Sequence, residues 1–99
     1  MDKIVFITGA SSGIGAGCAR KFASQGASLI LNARNVNKLS ALKEELEKQY
    51  GAKIYLLPFD VRDRKAATSA LESLPKEWQS IDILVNNAGL VIGTDKEQE

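Results

Sequence analysis

The sequence predicts an α/β fold with a doubly wound parallel sheet of strand order 3-2-1-4, and three observations carry that expectation. Four short apolar runs are separated by three helix-like segments, a pattern that calls for crossover connections and parallel strands. The first run, Ile4 to Ile7, passes directly into a glycine-rich turn, Gly9 to Gly15, and then into a helical pattern. In the order 3-2-1-4 that turn falls at the point where the strand order reverses, which is where such sheets bind ligands.

The elements follow in sequence. Ile4, Val5, Phe6 and Ile7 form an unbroken apolar run, as in a strand buried on both faces. Ile14, Cys18 and Phe22 then recur at helical spacing, with Ala19 and Ala23 beside them and Arg20, Lys21, Ser24 and Gln25 opposite. This predicts an amphipathic helix with Ile14, Cys18, Ala19, Phe22 and Ala23 on its apolar side, closed by a left-handed cap at Gly26. Ser28 to Ala33 is the second strand. Asn35 or Asn37 caps the next helix, whose apolar face is Leu39, Leu42, Leu46 and, at its end, Tyr50. The pairs Lys43–Glu47 and Glu44–Lys48 lie on its outer face, and Gly51 ends it.

Lys53 to Phe59 reads as the third strand, and Pro58 places it at a sheet edge or puts the proline at a strand terminus. Asp63 is the expected N-cap of a helix that turns Ala67, Ala70, Leu71 and Leu74 inward and stops at Pro75. Trp78 closes over its end. Ile81 to Val85 is the fourth strand, leading into Asn86-Asn87-Ala88-Gly89. Residues 1–93 are read as the N-terminal part of one α/β domain and 94–99 as a frayed polar tail.

Composition removes several function classes. A net charge of +1 gives no reason to propose nucleic acid or an anionic membrane as partner. The chain has no histidine, so His-based catalysis and His-ligated metal are excluded. Cys18 is the single cysteine, which rules out an internal disulfide and fits a reducing compartment. No apolar run approaches membrane-spanning length and the N-terminus lacks a signal-peptide pattern, so a cytoplasmic location is expected.

The glycine turn carries the chemistry. A pyrophosphate requires backbone N–H groups aimed at it and no Cβ in the way, and a helix N-terminus adds partial positive charge. Ser11 and Ser12 offer hydroxyls for ribose or phosphate oxygens. The spacing is G-x-x-x-G-x-G, neither the general G-x-G-x-x-G fingerprint nor a P-loop. Taken alone, the turn could instead serve only to pack helix against strand.

Three motifs together are more specific. Thr8-Gly9-Ala10-Ser11-Ser12-Gly13-Ile14-Gly15 matches the T-G-x-x-x-G-I-G cofactor motif of the short-chain dehydrogenase/reductase family. Asn86-Asn87-Ala88-Gly89 matches its N-N-A-G motif, and Asp60-Val61 resembles the pair that holds adenine. The resemblance covers essentially the whole chain and implies a Rossmann-type fold. Ser73 to Gly93, with Asn32-Ala33-Arg34, looks most like the NADP-dependent 3-hydroxy acid dehydrogenase branch, which includes enzymes acting on L-allo-threonine and serine.

Charge after the second strand indicates which cofactor. An NAD site places an acid there for the ribose 2′-OH, and that acid would repel a 2′-phosphate. Here Asn32-Ala33-Arg34 stands in that place and no acid occurs between Asp2 and Glu44. Arg34 is therefore set to pair with a 2′-phosphate, with Asn35 counted in the same site, and NADP is the expected cofactor. Asp60 can accept from the adenine amino group while the Val61 N–H donates to a ring nitrogen, or Asp60 is simply a capped strand end. Asn87 either steadies the sheet or lies beside the nicotinamide ribose, where Ala88 and Gly89 matter for their lack of bulk. Arg62, Arg64 and Lys65 read as a solvated helix start, and Cys18 as core.

The family's hydride transfer depends on a Tyr-x-x-x-Lys pair, in which the tyrosine is the general acid/base and the lysine lowers its pKa. Tyr50 and Tyr55 are followed four positions on by Ile54 and Phe59, so no catalytic residue is assigned. The chain is accordingly expected to be the N-terminal, cofactor-binding part of an NADP-dependent oxidoreductase, inactive by itself. Its substrate, a small hydroxy acid or similar alcohol or carbonyl compound, would be met only in the complete enzyme. Ile83, Leu84 and Val85 would then lie on an open edge that invites a homo-oligomer or completion by another chain. The alternative is a non-catalytic nucleotide-binding or interaction module that ends naturally at residue 99.

Overall fold

A computed structural model describes residues 2–90. In chain order it contains β1 (Ile4–Thr8), α1 (Gly13–Ser24), β2 (Ser28–Leu31), α2 (Val36–Tyr50), β3 (Ile54–Leu56), α3 (Arg64–Glu72), a 3-10 turn (Lys76–Trp78) and β4 (Ile83–Asn86). The sheet has the order β3-β2-β1-β4, as expected. All three pairings are parallel, with Phe6 opposite Ile30 on one side and Leu84 on the other. The expected tail 94–99, and Val91 to Gly93 before it, lie outside the described residues.

Alternation along the strands builds two apolar layers. Val5, Ile7, Leu29 and Leu31 face α1 and α2, where Ala19, Ala23, Leu39, Leu42 and Leu46 meet them. Phe6 and Ile30 face the other way, onto Leu57, Phe59, Ala67, Leu74 and Trp78. Phe6, Ile7, Leu29 and Ile30 are almost completely buried, each worth roughly 1.5–3 kcal/mol relative to exposure. Strands β1 and β2 are thus covered on both faces, whereas Leu84 of β4 stays exposed, and the strand C-termini are left free to carry the turns.

Local signals set the helix boundaries. Asn35 Oδ1 accepts from Lys38 N at 3.1 Å, which chooses Asn35 over Asn37 as the N-cap of α2. Gly51, at φ 64°, closes that helix in the left-handed region. Asp63 Oδ1 accepts from Ala66 N at 3.1 Å and caps α3. β3 is shorter than its apolar run: it ends at Leu56, so Pro58 lies beyond it, at the edge of the sheet. Tyr50 is 37% exposed and so does not continue the core face of α2.

The expected apolar side of α1 is corrected at Ile14, while Ala19 and Ala23 are buried as expected. Its buried residues are Gly15, Ala19 and Ala23, while Ile14 is 74% exposed and Cys18 and Phe22 are only partly buried. The cause is close approach at the start of the helix. A Cβ on Gly15 would lie 2.1 Å from Gly9 O, so only the small-residue stripe can face the sheet there.

Candidate cofactor cleft

The turn after β1 is held by hydrogen bonds from distant parts of the chain. Thr8 is fully buried; its Oγ1 donates to Asn86 Oδ1 at 3.0 Å and accepts from Ala88 N at 3.0 Å. Asn86 Oδ1 also accepts from Leu90 N, and its Nδ2 donates to Leu90 O, fixing the Asn87-Ala88-Gly89 turn. Asn87 Nδ2 donates to Gly9 O at 3.2 Å and to Ser12 Oγ at 2.8 Å. Gly9 has φ 64°, and a Cβ there would meet Asn87 Nδ2 at 2.9 Å. Glycine is needed for both reasons.

Ser12 has a different role from the one its hydroxyl suggests. It is the N-cap of α1: Oγ accepts from Gly15 N and from Asn87, and donates its single proton to Gly9 O. Its hydrogen-bonding capacity is satisfied inside the protein. The Ser11 hydroxyl, by contrast, has no partner among the described residues, and neither do the backbone N–H groups of Gly13 and Ile14. Ile14 thus has a free amide at the helix N-terminus while its side chain is exposed. A Cβ on Gly13 would meet nothing within 4 Å, so internal packing does not explain that glycine.

β2 ends at the opposite wall. Asn32, only 1% exposed, donates from Nδ2 to Leu57 O and Phe59 O, both at 3.1 Å. It ties the end of β2 to the segment carrying Asp60, where Pro58 supplies no N–H. Asn32 Oδ1 is buried without a partner among the described residues. Arg34 follows with its side chain 69% exposed and its Nη1 3.9 Å from Asp60 Oδ2, longer than a hydrogen bond.

These walls enclose one cleft of ≈ 440 Å³. Gly9, Ser11, Ser12 and Ala88 line one end, and Asn32, Ala33, Arg34, Phe59, Asp60 and Val61 the other. Of the residues singled out in the sequence, Gly13, Ile14, Gly15, Asn35 and Asn87 do not line the cleft but build or flank its rim. Gly89 lies with Val61 and Ala88 along an adjoining hollow.

Five lining residues were not assigned to the site in the sequence, Asn32, Ala33, Phe59 and the two charged ones, Lys38 and Arg62. Lys38 stands in the first turn of α2, a turn without acids, and its ammonium has no ion-pair partner among the described residues. Arg62 does not simply extend into water as a solvated helix start. Its Nε and Nη2 grip the Asp60 carboxylate at 2.8–3.3 Å, and its N–H donates to Oδ1 at 2.9 Å. These hydrogen bonds, with the nearby positive charge of Arg62 and Arg34, lower the Asp60 pKa to about 2. The signal for Arg62 was Asp60-x-Arg62 itself, since Asp readily accepts from the N–H two residues on.

The cleft can accommodate an extended, phosphorylated ligand. Unpaired amides of a helix N-terminus lie at its rim, and Arg34 and Lys38 line its wall, so both carry groups of the kind that bind anions. No group of three or more metal-ligating side chains occurs among the described residues, and no helix there is long and apolar enough to cross a membrane.

The family model of the short chain dehydrogenases matches residues 3–99. An NADP-dependent 3-hydroxy acid dehydrogenase of Schizosaccharomyces pombe is 46% identical over 95 residues, 95% of this chain and 37% of that protein. Among solved structures, serine dehydrogenase from Escherichia coli superposes with a TM-score of 0.79 at 46% identity, covering 90% of this chain and 39% of that one. L-sorbose reductase from Gluconobacter frateurii, complexed with NADPH and L-sorbose, gives 0.82 at 38% identity over 89% of this chain and 34% of that one. The chain spans less than two-fifths of the length of each of these relatives.

Proposed function

Because the chain belongs to the short-chain dehydrogenase family, we propose that it forms the NADP(H)-binding part of an oxidoreductase. The observation that carries this reading is a single cleft lined by Ser11 and Ser12, next to the unpaired Gly13 and Ile14 amides at its rim, and by Arg34 and Lys38. Gly13 and Ile14 N–H would hold the pyrophosphate, with the Ser11 hydroxyl beside them. Asp60 and the Val61 N–H would take the adenine edge. Arg34, backed by Lys38 and the N-terminus of α2 at Asn35, would take the 2′-phosphate, for which an acid in that place would be unsuitable. Asn87 spends both amide protons on Gly9 and Ser12, so its carbonyl end is the one left to face the nicotinamide ribose, over Ala88 and Gly89.

NADP(H) supplies or accepts the hydride in the complete enzyme. The names of the relatives support a small hydroxy acid or related alcohol or carbonyl substrate. Within these 99 residues neither tyrosine is followed four positions on by lysine, so turnover is assigned to the complete enzyme and not to these residues alone. β4 forms an edge of the described sheet with Leu84 44% exposed, which supports a homo-oligomer or completion by another chain. The single Cys18 fits a cytoplasmic setting.

Fluorescence titration with NADPH and NADH tests the reading. Arg34→Asp should weaken NADPH binding much more than NADH binding; equal loss for both cofactors would refute it.

A further inference from the structure

Asp60 lies between two guanidinium groups in the same cleft. Arg62 grips it in its fork at 2.8–3.3 Å, while Arg34 Nη1 stands off at 3.9 Å. Both arginines are largely exposed, with side-chain accessibilities of 74% and 69%, so neither is held in place by packing. An unclaimed carboxylate this close to Arg34 would be drawn to it and would neutralise the charge that a phosphate needs. We propose that Arg62 is a positioning residue for nucleotide choice: by keeping Asp60 in its own fork, it leaves the Arg34 fork open for a 2′-phosphate.

The inference rests on the NADP(H) reading of the cleft but concerns a residue that need not touch the nucleotide. Asp60 can still serve the adenine edge, because Arg62 offers its carboxylate only three N–H donors, Nε–H being shared between Oδ1 and Oδ2, against about four acceptor sites. Arg62 is suited to the task by geometry. Its backbone N–H and side chain both bind the same carboxylate, so the chelate closes over only two residues and costs little ordering. Lys in its place would hold the acid through a point charge and should do so less well.

Two measurements on the 99-residue chain test this. The first compares NADPH and NADH affinities by titration. Arg62→Gln should reduce the preference for NADPH over NADH by about two- to fivefold, the scale of an exposed ion pair. Arg62→Lys should fall between, and Asp60→Asn combined with Arg62→Gln should restore the preference. Equal loss of both cofactors would show that Arg62 contacts their common part, and an unchanged ratio would show that it has no part in selection. Either result overturns the proposal.

The second measurement needs no nucleotide. The Asp60 carboxyl is titrated by carbon-detected NMR in the free chain, whose amide spectrum also reports whether each variant is folded. In Arg62→Gln the carboxyl should still titrate below the ordinary range, because Arg34 takes it over. It should return to the ordinary range only when Arg34→Gln is added. A full return in Arg62→Gln alone would disprove the hand-over whatever the nucleotide data show. Wild-type chain without any preference for NADPH would instead sink the NADP reading, while this second measurement would still judge the pairing.

Discussion

Asn87 donates to Ser12 Oγ at 2.8 Å, so the turn after β4 is fastened to the cap of the first helix. Ser12 in turn holds Gly15 N and Gly9 O. One hydroxyl therefore connects both motif turns. Ser12→Ala should destabilise the chain by about 1 kcal/mol, the usual cost of a lost N-cap. Asn87→Ala should cost a similar amount, roughly 1 kcal/mol for hydrogen bonds of this kind. Because they share a contact, the double variant should lose less than the sum. Urea midpoints of the three variants check this.

Gly15 and Gly13 should respond oppositely to alanine. Gly15→Ala would place a Cβ 2.1 Å from Gly9 O, against backbone that cannot yield, and should destabilise by about 1–3 kcal/mol or more. Gly13→Ala meets open space and should hold or raise stability, by up to about 1 kcal/mol. Its methyl group would stand where the phosphate approaches, so NADPH affinity should fall. Thermal unfolding and nucleotide titration of the two variants separate packing from binding.

Lys38 should contribute to phosphate selection from the first turn of α2. Lys38→Gln should weaken NADPH binding by about two- to fivefold and leave NADH unaffected, as expected for a rim charge beside a helix N-terminus. The difference should shrink as salt is raised from low to physiological strength. Titration of both cofactors at two salt concentrations reads this out.

The Asp60 pair should contribute a little to acid sensitivity. Its folded pKa, about 2, lies below the value of about 3.9 for an unperturbed aspartate. The ionised form is favoured in the folded chain, so its contribution is complete above about pH 4 and disappears as pH falls through about 2. Arg62 and Arg34 are the charged groups facing it. Asp60→Asn should flatten this part of the acid limb in pH-dependent urea unfolding. The effect should be small, since the pair is exposed to solvent. Glu45, whose pKa is lowered by its hydrogen bonds to Arg20, adds a separate contribution that Glu45→Gln removes.

The sequence made legible what depends on local chemistry. The Ile4 to Ile7 run, the glycine turn and the Asp63 cap follow from neighbours in the chain, the α2 cap narrows to Asn35 or Asn37, and the strand order comes from the alternation of strands and helices along the whole chain. Ile14 was misread because two stripes of α1 lie side by side: Ile14-Cys18-Phe22 and Gly15-Ala19-Ala23. Size favours the first, but the contact between Gly15 and Gly9 O settles for the second. The role of Ser12 was hidden for a different reason, since its partner Asn87 is 75 residues away. Arg62 and Lys38 are ordinary surface residues in the sequence. Only the folding together of β1, β2 and the segment after β3 turns them toward one cleft.

The bond from Asn87 Nδ2 to Gly9 O closes a separation of 78 residues. Loops of that size close late, after the local elements and the nearer strand pairs have formed. The glycine turn is written near the start of the chain, yet its finished shape waits for β4 to dock beside β1. A growing chain would carry the complete motif long before it had a cradle. Nucleotide binding would therefore report the last step of assembly: in stopped-flow refolding, the NADPH signal should appear with the final phase, not with helix formation.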